Sequence, residues 1–389
     1  MSLETSFDIK NLICLYLYDL KDSINLYDLN KDHQNNIMIT NLYNLPEKYV
    51  IKLDQKTIQQ DKYKYVEKLN AHNNKQIKSV NHMKNTLKIL NWGYGCGIDQ
   101  NGITELNLIE LYVYSNKKIV NVNYMKNTLK ILDCGRGSGI DQNGISELNL
   151  IELDAYNNKK IQNVNHMKKT LKILYCDGNC KIDQNGILQL NLIELYATDN
   201  KKIKNVNHMK KTLKILHCCD FSGIDQNGIS ELNLIELDAY NNKKIQNVNH
   251  MKNTLKILHC SYDSGIDQNG ISELNLIKLY VSGNKKIKNI NHMKNTLKIL
   301  NCGGLNCGVD QNGILNLNLI ELYVSDNEKI NNVNHMKNTL KILHCCYDSG
   351  VDQKGISELN LIELDAHGNK QIEDQSYEKY INFLIVTYI

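Results

Sequence analysis

LKILDCGRGSGIDQNGISELN (residues 129–149) and LIELDAYNNKKIQNVNHMKKT (residues 150–170) are the two unlike halves of a 42-residue block that recurs from about Lys68 to Glu373. Each half is 21 residues long and opens on leucine. These leucines fall at Leu87, Leu108, Leu129, Leu150, Leu171, Leu192, Leu213, Leu234, Leu255, Leu276 and Leu297. After a one-residue insertion near Gly304 the series resumes at Leu319, Leu340 and Leu361. A fixed period in the range of about 20–29 residues predicts a solenoid, in which each turn buries its apolar edge only against its neighbours. Scaffolds of this kind mostly present a surface, which argues against an enzyme.

The first kind of unit reads LKILxC and then GIDQNGI; the second reads LIELx(A/V)xxNKKI and then NxNHMK. Seven units of the first kind alternate with eight of the second, counting a degenerate one at Val66. Both kinds have leucine at positions 1 and 4, a small apolar residue at position 6 and Ile or Val at position 12. This resembles the leucine-rich repeat pattern LxxLxLxxN over roughly 300 residues. The resemblance implies an α/β repeat solenoid, a horseshoe or arc of about fifteen right-handed turns with a parallel sheet on its concave face. At roughly 4.8 Å per strand the array would extend some 70 Å before curvature. Strand geometry sends positions 4 and 6 into the core and positions 3, 5 and 7 to the opposite side.

The resemblance also implies that the asparagine at position 9 bonds backbone groups of its own and adjacent turns. Asn74, Asn116, Asn158, Asn200, Asn242, Asn284, Asn327 and Asn369 occupy that place in the second kind of unit. Most of the first kind lack it, with Gly95, Gly137, Phe221, Asp263 and Asp348 there and only Asn179 retained. Alternate turns are therefore expected to be held differently. Residues 150–170 and 234–254 differ only at Lys169 and Asn253, so the copies read as recent duplications.

Six cysteines stand at position 6 of the first kind of unit: Cys134, Cys176, Cys218, Cys260, Cys302 and Cys345, with Trp92 in the first such unit. Members of the series lie two strands, about 10 Å, apart. A disulfide needs Cα atoms within about 7 Å, and a zinc ion needs sulfurs at about 2.3 Å, so neither links the series. Buried thiols acting as small hydrophobes are expected, in a reducing, cytoplasmic setting.

Net charge is +4 with a pI of about 8.3, too mild to argue for a nucleic-acid or membrane partner. Arg136 is the only arginine among 46 basic residues, which speaks against bidentate phosphate recognition. A single proline, Pro46, and abundant Asn, Lys and Ile point to an AT-rich genome. No basic stretch followed by an apolar run opens the chain, so no secretory leader is expected. The apolar close at residues 381–389 is far too short to span a bilayer.

Residues 1–60 do not fit the repeat and read as a helical N-terminal cap, with residues 61–373 as the solenoid and 374–389 as a C-terminal cap. Apolar residues at helical spacing in FDIKNLICLYL (7–17) and LKDSINLYDL (20–29) resemble an F-box, although Phe7-Asp8 stands where that family opens on Leu-Pro. The resemblance implies that Ile13, Leu17, Leu20, Ile24, Leu26 and Leu29 dock a Skp-type adaptor of cullin ubiquitin ligases. The competing reading is a plain cap over the first strand, which any solenoid requires. F-box and repeat arrays of this composition are similar to proteins of amoebae and their giant viruses.

Two columns invite metal chemistry. Asp-x-Asn-Gly, as at Asp141, shares part of a calcium loop but lacks the rest, including the closing Glu, and reads as a turn. His82, His166, His208, His250, His292 and His335 share one register, Tyr124 replacing one member. They too are about 10 Å apart, with no acid column to complete a site, and read as surface ring contacts. No nucleophile–base set or phosphate loop stands out from the repeat, so neither catalytic residues, metal nor cofactor is expected.

The expected concave face is more informative. Position 3 alternates isoleucine with Glu110, Glu152, Glu194, Glu236, Lys278, Glu321 and Glu363. Tyr112, Tyr196, Tyr280, Asp154 and Asp238 stand at position 5, and Tyr114, Tyr156 and Tyr240 at position 7. Aromatic rings with exposed aliphatics suit protein recognition, and the acid rows would attract a basic segment. The alternative is that the position-2 lysines, such as Lys88, pair diagonally with the glutamates. The partner-binding residues expected are Tyr112, Tyr114, Glu152, Tyr156, Glu194, Tyr196, Glu236, Asp238, Tyr240 and Tyr280. The function expected is a protein-interaction scaffold, in one version the substrate-recognition subunit of a cullin-type ligase and in the other a plain binding, decoy or structural protein.

Overall fold

The computed structural model describes residues 39–43 and 53–372. The chain divides into two compact units, Met1–Leu190 and Asn191–Ile389. Each unit is a leucine-rich repeat solenoid, one short parallel strand per turn. The first carries β1 (Asn41–Leu42), β2 (Lys68–Asn70), β3 (Ile89–Asn91), β4 (Glu110–Tyr112), β5 (Ile131–Asp133), β6 (Glu152–Asp154) and β7 (Ile173–Tyr175). The second carries β8 (Glu194–Tyr196), β9 (Ile215–His217), β10 (Glu236–Asp238), β11 (Ile257–His259) and β12 (Lys278–Tyr280). It continues with β13 (Ile299–Asn301), β14 (Glu321–Tyr323), β15 (Ile342–His344) and β16 (Glu363–Asp365). Partners in register are 21 residues apart, as in Asp133 opposite Asp154, and 22 apart across the insertion, as in Ile299 opposite Glu321. β1 lies in the segment expected to be helical, yet it pairs parallel with β2. The six F-box-like residues lie outside the described residues.

Alternation along each strand separates core from surface. Leu129, Leu132, Cys134 and Ile140 of one turn, and Leu150, Leu153, Ala155 and Ile161 of the next, are fully buried. The position-3, -5 and -7 side chains of these turns remain half-buried or exposed, Gly135 apart. Ala, Val or Cys stands at position 6 in nearly every turn, beside the stacked leucines. Trp92, also fully buried, is the exception. The eleven cysteines among the described residues are all free thiols.

The two kinds of turn are held by different polar devices. Asn158 donates its side-chain N–H to the carbonyls of Cys134 (2.9 Å) and Ile140 (3.2 Å), and accepts from the Lys160 and Ile161 amides. Asn242, Asn284, Asn327 and Asn369 repeat the two donations. In the first kind of turn the work passes to position 10. Buried Ser138, Ser222, Ser264 and Ser349 each accept from the amide two residues on, at 3.4 Å. Cys96, Cys180 and Cys307 replace that serine elsewhere. The Asp-Gln-Asn-Gly segments are turns, as expected: Asp141 accepts from the Gly144 amide at 3.0 Å. The adjoining glutamine ties turns together, since Gln142 accepts from the Gln162 and Asn163 amides and donates to the Asn163 carbonyl. The histidine column also has a structural job. His166, His250, His292 and His335 reach the carbonyl of the previous turn at 3.0–3.1 Å, and the Tyr124 hydroxyl does the same at 3.0 Å.

Candidate functional site

The outward strand face carries the side chains that the core does not take. In the first unit Tyr112 donates its hydroxyl to Glu110 (2.9 Å), and Tyr114 meets His72 Nδ1 at 2.9 Å. In the second unit Tyr196 donates to Glu194 (2.9 Å) and Tyr323 to Glu321 (3.0 Å). Burial together with the adjacent carboxylate pushes the Tyr323 hydroxyl up to about 12 and the Tyr112 hydroxyl higher still. These phenols therefore stay protonated donors. Lys88 pairs with Glu67 at 2.7 Å instead of with Glu110. Glu110, Glu194, Glu236, Glu321 and Glu363 each meet a tyrosine or histidine.

Histidines at position 5 of the first kind of turn were not singled out by sequence reasoning, although their column is legible. His217 lies 4.5 Å, ring to ring, from Tyr196; its Nε2 is 3.3 Å from Glu236 and its Nδ1 3.8 Å from Asp238. His344 repeats this with Tyr323 (4.8 Å), Glu363 (2.8 Å) and Asp365 (3.9 Å). His259 stacks on Tyr280 at 4.0 Å, and desolvation lowers its pKa. The structure thus gathers Tyr196, Glu236 and Asp238 around His217, with Glu194 held by the Tyr196 hydroxyl and Tyr240 against Tyr262 at 5.2 Å. In the first unit Tyr114 and Tyr156 flank the Arg136 guanidinium, each ring 5.9 Å away, and Glu152 lies further back, at the start of β6 opposite Ile131.

The isoleucine rows need correction. Position-3 isoleucines such as Ile131 are half-buried between their neighbours, and the exposed column is position 2 of the second kind of turn, where Ile151 and Ile235 are each 46% accessible. Position 2 precedes the strand, so the strand alternation does not govern it.

Among the described residues no group of three or more His, Cys, Asp or Glu side chains is arranged to hold a metal ion, and no helix is long and apolar enough to cross a membrane. No family model matches the chain, and no curated protein matches it. Similar solved structures include the Rad7 and Elc1 complex of yeast, at 13% identity and a TM-score of 0.45, covering 95% of this chain and 90% of that one. Another is the functional domain of InlJ from Listeria monocytogenes, which includes a cysteine ladder, at 17% identity and a TM-score of 0.39, covering 76% and 70%. The TLR13–ssRNA13 complex gives 17% identity and a TM-score of 0.41, covering 85% of this chain and 52% of that one. The fold assignment rests on this chain's own register and burial.

Proposed function

We propose that this chain is a non-catalytic scaffold that binds a protein partner on the outward strand face. The observation that carries the reading is the position-5 row of the second unit: Tyr196, His217, Asp238, His259, Tyr280, Asn301, Tyr323, His344 and Asp365, in register along nine successive strands. Rings held by hydrogen bonds and stacking offer contact area at low entropic cost, as interface anchors do. Acid rows beside them repel phosphate and favour a basic protein segment over nucleic acid. Replacing Tyr196 and Tyr240 with Ala should weaken partner capture by about tenfold or more. Unchanged capture by the double variant overturns this assignment of the face.

The F-box-like residues Ile13, Leu17, Leu20, Ile24, Leu26 and Leu29 extend the proposal to a substrate-recognition role in an intracellular cullin-type ligase, with residues 1–60 as the adaptor-docking cap. Co-purification with a Skp-type adaptor, lost on deleting residues 1–45, supports this extension. Partner capture by the intact chain without adaptor recovery leaves a plain binding or decoy protein.

A further inference from the structure

The second unit departs from its own repeat at one place, and a cleft lies there. Position 8 of each turn, just beyond the strand, is left-handed. Asn241 (φ +54°), Tyr262 (+55°), Asp326 (+59°) and Tyr347 (+56°) all carry a side chain in that conformation. The two turns between Tyr262 and Asp326 do not: they have Gly283 (+65°) and Gly304 (+90°), the only glycines in adjacent turns of this column. A left-handed residue other than glycine costs roughly 1–2 kcal/mol, which the neighbouring turns tolerate, so the backbone alone does not demand the pair. The array's one insertion falls at the same place, in the turn that opens at Leu297, and Leu305 beside it is 64% accessible.

The space over the two glycines is large enough for side chains. A Cβ on Gly283 would meet nothing nearer than Tyr262 Cδ1, at 3.4 Å, an ordinary contact. A Cβ on Gly304 would lie 3.3 Å from the Gly283 nitrogen. Both glycines line a cleft of about 610 Å³, together with Tyr240, Tyr262 and Leu305. Tyr262 is 56% accessible, and the Tyr240 ring braces it from 5.2 Å at a tilt of 59°. The charged groups that line the cleft have both signs, Lys285 with Asp263 and Asp326, and Asp263 is held by Lys243 at 3.1 Å. A rim of mixed sign selects no charged occupant, which leaves the apolar walls to choose.

We propose that this cleft receives an aromatic side chain of the bound partner, its ring against Tyr262 and Leu305 and over the Gly283 and Gly304 backbone. A flat ring comes close to a backbone only where no Cβ intervenes, and two successive turns provide that here. The tilted Tyr240–Tyr262 pair leaves an exposed ring for a further offset or edge-to-face contact. Aromatic anchors seated in pockets are where interface energy concentrates. Tyr240 belongs both to this cleft and to the proposed strand face, so the inference rests on the scaffold reading and names the chemistry of one contact within it.

The test titrates the full chain by NMR with the capped tripeptide Gly-Trp-Gly. The same peptide with leucine in place of tryptophan, and methyl glucoside, serve as comparisons. The tryptophan peptide should bind about tenfold more tightly than the leucine peptide. Gly283→Asn, which gives this turn the side chain that Asn241 gives another, should weaken that binding about tenfold. Leu305→Ser, at an exposed position, should weaken it about threefold with thermal unfolding unchanged, and decides the matter if Gly283→Asn does not fold. Equal binding of the two peptides, or full retention by the variants, overturns the inference. Tighter binding of methyl glucoside overturns the assignment to a protein side chain. Tyr196 on β8 lies outside the cleft and separates the two readings. Partner capture that is lost with Tyr196→Ala but indifferent to Gly283→Asn overturns this anchor and leaves the scaffold. Capture indifferent to both overturns the strand-face reading and the role of the cleft with it.

Discussion

Asn116 stands one turn after Trp92, as Asn158 stands one turn after Cys134, yet its side-chain nitrogen is buried with no acceptor. Trp92 is the only large residue in the position-6 column, and its own indole nitrogen is buried without an acceptor too. The bulky ring fills the core of that turn while the asparagine ladder loses a rung. Asn158→Ala should therefore cost about 3 kcal/mol, because it strips two donated and two accepted bonds, whereas Asn116→Ala should cost about 1 kcal/mol. Urea unfolding of the two variants checks the order, and equal losses would contradict it.

Ala239 and Tyr240 test which side of the strand faces the core. Ala239 is fully buried and Tyr240 is 37% accessible. Ala239→Leu should lower stability by about 1–3 kcal/mol through overpacking. Tyr240→Ala should stay within about 0.5 kcal/mol of the parent. Thermal unfolding showing the opposite pattern would move the interaction face to the other side.

Asp133 makes a pH prediction of definite sign. Desolvation and Asp154, partly offset by the Gly135 amide and Arg136, push its carboxyl up to about 6 from an ordinary 3.8. The folded state thus holds the proton more tightly than the unfolded chain. The stabilising effect of that proton is full below about pH 4 and is lost as pH rises through about 6. Asp133→Asn should raise stability at pH 7.5 by an amount on the order of 2 kcal/mol and change little at pH 3.5. A gain that is the same at both pH values would show that burial, not charge, is what matters.

Two glycines separate steric from conformational cost. A Cβ on Gly144 would lie 2.0 Å from the Val120 carbonyl oxygen of the previous turn. Gly137 has open space around it but a φ of +73°. Gly144→Ala should destabilise by about 3 kcal/mol or more, since backbone must move. Gly137→Ala should cost only about 1 kcal/mol, the strain of a left-handed residue. Differential scanning calorimetry on the pair would expose a reversed order.

Much of this fold is legible in the period alone, because a repeat that buries its edge only on its neighbours leaves few alternatives. Leu132, Cys134 and Ile140 announce a buried edge by spacing, and Asn158 announces its ladder by register. Position 2 is different: Ile151 is exposed because it precedes β6, and no hydrophobic count reveals where a three-residue strand begins. The candidate site divides in the same way. Tyr, Glu and Asp of the strand face follow from an alternation of two, which the residues themselves carry. That Asp154 meets Asp133 in one copy and its twin Asp238 meets His217 in another depends on residues a full turn away. The segment 150–170 determined its own turn almost completely; only packing against the preceding strand decided whether its aspartate would find an imidazole or a second carboxylate.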